Sequence, residues 1–118
     1  MKGFSISIEQ PDIHAVVVVK LEGNIDVGAA GLLESYLRVL MEKNYKIIVA
    51  DCSMVTFLSS SGIGVLMGNG FRLRERGCSL VFMGLPQPIR SVFDIIDASR
   101  LFREIDNVEE LRNELQAR

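Results

Sequence analysis

Several functional classes need features this sequence has little of. Its charge is nearly balanced, with 13 Lys and Arg against 15 Asp and Glu for a formal net charge of −2 at pH 7, so the basic footprint that nucleic-acid phosphates require is missing. Long apolar runs are missing too. The longest aliphatic run, AVVVV at residues 15–19, falls far short of the roughly 20 residues that cross a bilayer. The opening MKGFSISIEQ alternates apolar and polar residues, whereas a secretory leader needs an unbroken apolar stretch. The expectation is a cytoplasmic chain with neither nucleic acid nor membrane as partner.

Residues that carry metal and hydrolytic chemistry are also scarce. Cys52 and Cys78 are the only cysteines, without C-x-x-C spacing or a neighbouring histidine to complete a zinc set, so both read as buried reduced thiols. The sole histidine, His14, lies between two early strand-like segments and reads as a solvated turn residue. A Ser-His-Asp hydrolase would have to take its base from there. No metal or other cofactor is expected.

What is present is ample apolar content, 48% of 118 residues, enough for one domain spanning 1–118 with a single core. Phe4, Ile6 and Ile8 alternate with polar neighbours, and AVVVVKLEG follows a turn-like EQPDIH, which predicts an antiparallel hairpin. Over residues 28–44, Leu32, Leu33, Tyr36, Leu37, Leu40 and Met41 predict the apolar face of a helix. KIIVA at residues 46–50 suits a central strand covered on both faces. A mixed segment, DCSMVTFLSS, then leads to a helix over about residues 61–76, with Ser61 as its N-cap.

LVFMG reads as another buried strand, and Pro86 and Pro88 precede a short helix placing Ile89, Val92, Phe93 and Ile96 at helical spacing. LFREI reads as a last strand. Asn107 with Glu110 forms a capping box for a final helix striped by Val108, Leu111 and Leu115. The order β-β-α-β-α-β-α-β-α predicts an α/β domain with a mixed, mainly parallel sheet of four to five strands and about four helices.

The segment FLSSSGIGVLMG, residues 57–68, carries the chemical question. GIGVLMG nearly matches a dinucleotide-binding fingerprint, but it has one residue too many and stands about ten residues beyond the KIIVA strand instead of directly after it. A P-loop fails because no Lys-Ser or Lys-Thr closes the glycine run, and a nucleophile elbow fails because no glycine stands two before any of the serines. Two readings are left. The serines cap a helix and the glycines let it approach the sheet, which patterning alone favours, or one serine receives a phosphate at the positive end of the helix. Gly64, Gly68 and Gly70 inside a helix would each cost roughly 0.8–1 kcal/mol relative to alanine. Close approach by the sheet or by a docking protein would offset that cost, or GNG at residues 68–70 would end the helix early.

GNID, VTFLSSSGIGVLMG and PIRSVFDI together resemble a STAS domain of the bacterial anti-sigma-factor antagonist type, over essentially the whole chain. The resemblance implies a non-enzymatic protein that binds an anti-sigma factor with serine kinase activity and so frees a sigma factor. Phosphorylation by that kinase ends the interaction, and a phosphatase reverses it. The implied phosphoacceptor is Ser61, with Ser59 and Ser60 as alternates. The implied partner-binding residues are Asp26, Ser59, Ser60, Gly62, Ile63, Gly64 and Met67. Asp26 reads either as an acid near the acceptor or as a plain helix cap.

Ser59 stands where the family usually has aspartate, which removes a charge beside the acceptor and adds a hydroxyl. That departure supports an alternative, a non-phosphorylated STAS scaffold or accessory subunit in a stressosome-like or lipid-transport assembly. FDIIDASRLF is longer than the family's usual turn and marks the surface at residues 97–100 as particular to this member.

Overall fold

A computed structural model describes residues 3–100 and 102–116. Strands β1 (Phe4–Glu9) and β2 (Val16–Ile25) form the expected hairpin, paired from Phe4 with Gly23 to Glu9 with Val18. Gly23 is required at its position. Its φ is +97°, and a Cβ there would fall on the Gly3 carbonyl oxygen.

β3 (Ile47–Leu58), β4 (Ser79–Met83) and β5 (Glu104–Ile105) add in parallel to give a five-stranded sheet ordered β1-β2-β3-β4-β5. Helices α1 (Val27–Met41), α2 (Ser60–Glu75) and α3 (Gln87–Ile95) alternate with the strands, and α4 (Glu109–Gln116) closes the described chain. The mixed, mainly parallel α/β architecture is the one the sequence predicts.

Two apolar layers hold the sheet. On one face Val17, Val19, Ile48 and Phe82 pack with Leu33 and Leu37 of α1, Leu66 and Leu73 of α2 and Phe93 of α3. On the other, Val16, Val18, Val49 and Val81 pack with Ile105 and with Leu111 of α4. The unbroken valine run of β2 is thereby explained: alternate residues feed opposite cores, so all four valines are buried.

Several local expectations are corrected. The central strand does not stop at Ala50, because the mixed segment after it is the second half of β3, paired through Leu58 with Ile25. Its polar character follows from geometry. β4 pairs β3 only as far as Asp51, so Ser53, Met54, Thr56 and Phe57 are exposed. Register shifts in the β2–β3 pairing between Lys20 and Glu22 and between Gly23 and Asn24 break the alternation that would have revealed a strand.

LFREI supplies only Glu104 and Ile105 as strand, while Phe102 turns inward against Phe71 and Phe82; Leu101 lies outside the described residues. In α1 the buried set is Ala30, Leu33, Leu37 and Leu40, leaving Leu32 and Tyr36 exposed, and in α3 Val92 and Ile96 are exposed while Ile89 and Phe93 are buried. The capping box moves by one residue. Glu110 accepts the N–H of Asp106, at 2.8 Å, instead of that of Asn107, and Leu115 is exposed. Cys52 is buried as expected, but Cys78 is only partly so. His14 is exposed in the β1–β2 turn.

Candidate functional site

β2 and β3 are parallel neighbours, so both end at the same edge of the sheet, where Ile25 pairs with Leu58. Each strand is followed at once by a capping residue and a helix. Asp26 Oδ1 accepts the Ala29 N–H at 2.9 Å and begins α1. Ser59 Oγ accepts the Gly62 N–H at 3.1 Å and begins α2. The Ser59 N–H also donates to the Ile25 carbonyl at 2.9 Å, tying the two starts together. Two positive helix ends therefore lie side by side at this edge.

The three serines separate here. Ser59, not Ser61, is the N-cap, because the strand runs to Leu58 and the helix begins at Ser60. Ser59 is half-buried and its hydroxyl is engaged. Ser60 and Ser61 occupy the first turn, are exposed, and make no side-chain hydrogen bond among the described residues. Asp26 is exposed as well, and its carboxylate caps α1.

The glycines divide in the same way. A Cβ on Gly62 would lie 2.6 Å from Leu58 Cδ1 and 2.9 Å from Ile25 Cγ2, so this glycine is what allows α2 to close on the strand ends. Gly70 is buried, and a Cβ there would strike the Phe102 ring. Gly64 is different. It is exposed, with nothing within 4 Å of the Cβ it lacks, and Gly68 would make only an ordinary contact with Arg72, at 3.7 Å. The helix nevertheless continues through GNG to Glu75. Ile63 and Met67 are half-buried on the same helix.

Sequence reasoning missed two residues at this edge. Val27, directly after Asp26, is 71% exposed, and Phe57, two before Ser59, is 54% exposed. The signal for Phe57 was available: a large apolar residue in a segment read as mixed and left without a strand. Nearby on β3, burial, then Asp51 and Glu104, push the Cys52 thiol up to about 12. Raised so far, it is a protonated thiol at neutral pH.

Fold and site together define a small α/β domain with an open serine-bearing helix start, and the chain belongs to the STAS domain family, whose model matches residues 7–113. Among curated proteins, the anti-sigma-B factor antagonist of Listeria monocytogenes is 31% identical over 105 residues, 89% of this chain and 90% of that protein. The anti-sigma F factor antagonist of Paenibacillus polymyxa is 20% identical over 113 residues, covering 95% and 97%. The fold matches SpoIIAA in its unphosphorylated form with TM-score 0.78 and 17% identity, covering 97% of this chain and 98% of that one. It also matches an anti-sigma factor antagonist from Mycobacterium paratuberculosis with TM-score 0.83 and 20% identity, covering 97% and 95%.

Proposed function

We propose that this protein is a cytoplasmic, non-enzymatic anti-sigma-factor antagonist that binds an anti-sigma factor with serine kinase activity and is released when Ser61 is phosphorylated. The observation that carries the reading is the pair of exposed hydroxyls on the first turn of α2, unengaged among the described residues, beside a helical glycine that no described residue crowds. In the transfer, Ser61 Oγ takes the γ-phosphoryl group of ATP bound to the kinase. ADP leaves, and the hydroxyl proton passes to the kinase's base. Hydrolysis of the phosphoserine by a phosphatase restores the hydroxyl.

Magnitudes favour a surface switch over a change of fold. A phosphate of charge about −1.5 to −2 at the helix start gains roughly 0.3–1 kcal/mol from the helix dipole, so the domain stays folded. The same charge desolvated in a docked interface costs about 2–5 kcal/mol, and each 1.4 kcal/mol is about tenfold in affinity. SpoIIAA supports the reading, since its fold has been solved in unphosphorylated and phosphorylated forms that match this chain with TM-scores 0.78 and 0.74.

Ser59 in place of the usual aspartate keeps the scaffold alternative in play, although a serine caps α2 without needing that charge. Mass spectrometry after incubation with the cognate kinase and ATP decides between them. One added phosphate, lost in Ser61→Ala, supports the switch. No added phosphate supports the scaffold, and a phosphate retained in Ser61→Ala moves the acceptor to Ser60 or Ser59.

A further inference from the structure

The outer edge of β1 is an open strand edge whose hydrogen-bonding groups can be read from the hairpin. The Asn24 N–H donates to the Gly3 carbonyl, and the β1–β2 register runs without a break from Phe4 with Gly23 to Glu9 with Val18. In an antiparallel pair, alternate residues exchange both backbone bonds with the partner strand. Gly3, Ser5, Ser7 and Glu9 therefore turn their backbone groups toward β2. The N–H and C=O groups of Phe4, Ile6 and Ile8 point outward, and no described strand pairs with them.

Natural edges are usually blunted by a charge, a proline or a bulge. Residues 3–8, GFSISI, contain neither a charge nor a proline, and the pairing shows no bulge. Ile8 is 39% exposed.

We infer that β1 pairs antiparallel with β1 of a second copy about a two-fold axis at Ile6, joining the two sheets into one. The sequence is self-complementary in this register and poorer in its neighbours. Ile6 faces Ile6 of the second copy and Phe4 faces Ile8, so every outward N–H and C=O of these residues finds a partner. Shifting the axis to Ser7 would set Ile6 opposite Ile8 but Phe4 opposite Gln10. The Ile6-centred register also extends the apolar row of Phe4, Ile6 and Ile8 on the face that carries α1, α2 and α3, keeps Ser5 and Ser7 together on the other, and sets Glu9 against Gly3 instead of against its own copy. Such a contact is isologous and closes on itself. β2 lies between β1 and the β3–α2 junction, so the dimer leaves Ser60 and Ser61 open.

Sedimentation equilibrium from low to high micromolar concentration tests this. The wild-type mass is expected to rise to twice that of the 13.1 kDa chain; a monomer at every concentration overturns the inference. Ile8→Pro removes an outward N–H and no bond to β2, a placement edge strands tolerate, and is expected to abolish the dimer, whereas Ile8→Ala keeps it. A dimer that survives Ile8→Pro overturns the inference.

The register is tested without touching the core. In a Cys78→Ser background, Ser5→Cys and Ser7→Cys chains are mixed and oxidised. Crosslinked heterodimer from the mixture and none from either chain alone is expected, because Ser5 lies opposite Ser7 across the axis at a separation of about 4.5 Å between Cα atoms. Crosslinking of one variant with itself, or none in the mixture, rules the register out.

Discussion

The glycines of α2 have different jobs, and alanine at Gly64 and at Gly70 gives opposite signatures. Gly64→Ala meets open space and gains the helix propensity that glycine lacks, so thermal unfolding is expected to show stabilisation by about 0.5–1 kcal/mol. If a partner backbone approaches there, the same change weakens binding to the anti-sigma factor. Greater stability with lower affinity would separate a docking glycine from a packing one. Gly70→Ala must displace the Phe102 ring and is expected to destabilise by about 1–3 kcal/mol.

The thiols differ in the same residue-by-residue way. Cys52 is buried with its pKa pushed up to about 12, and Cys78 is partly exposed. A thiol reagent is expected to label Cys78 alone in the native protein and both after denaturation. Because the raised value belongs to the folded state, stability is unaffected below the ordinary thiol range near 9 and falls as pH rises from there toward 12. In urea unfolding, Cys52→Ala is expected to flatten that decline.

At the scale of elements, caps and one polar contact fix how α1 and α2 leave the sheet. Ser59→Ala frees the Gly62 N–H and is expected to cost about 1 kcal/mol in chemical denaturation, with Ser59→Asp keeping the cap. Between the helices Asn69, fully buried, donates from Nδ2 to Glu34 and to the Val65 carbonyl, and Glu34 also pairs with Arg38 and Arg72. Glu34→Ala strips the buried amide of a partner and is expected to cost about 1–3 kcal/mol.

Elements with a clean period were legible from sequence: the hairpin, the α1 face around Leu33, Leu37 and Leu40, and the position of α2. The second half of β3 was not, because register shifts and the early end of β4 give it the composition of a loop. That misreading displaced the cap from Ser59 to Ser61. It also hid Phe57, which a strand reading would have placed on the surface beside the serines.

At the scale of the whole molecule, the parallel β2–β3 pair gathers Asp26, Val27, Phe57 and the three serines at one sheet edge, though α1 and most of β3 separate Asp26 from Ser59 in the chain. Sequence motifs named most of these residues but could not show that Ser59 is engaged in capping while Ser60 and Ser61 are exposed with no side-chain partner among the described residues, since hydroxyls of identical type differ only in what the fold places around them. The β1 edge lies across β2 from that junction, so dimerisation and partner binding are expected to be independent, with Ile8→Pro leaving the affinity for the anti-sigma factor unchanged.

The decisive measurement is the dissociation constant for the cognate anti-sigma factor before and after stoichiometric phosphorylation, with the phosphate located by mass spectrometry. The account predicts a phosphate on Ser61 and binding weakened by at least about thirtyfold. Equal affinities of the two forms, or a phosphate on the capping hydroxyl of Ser59, would contradict it.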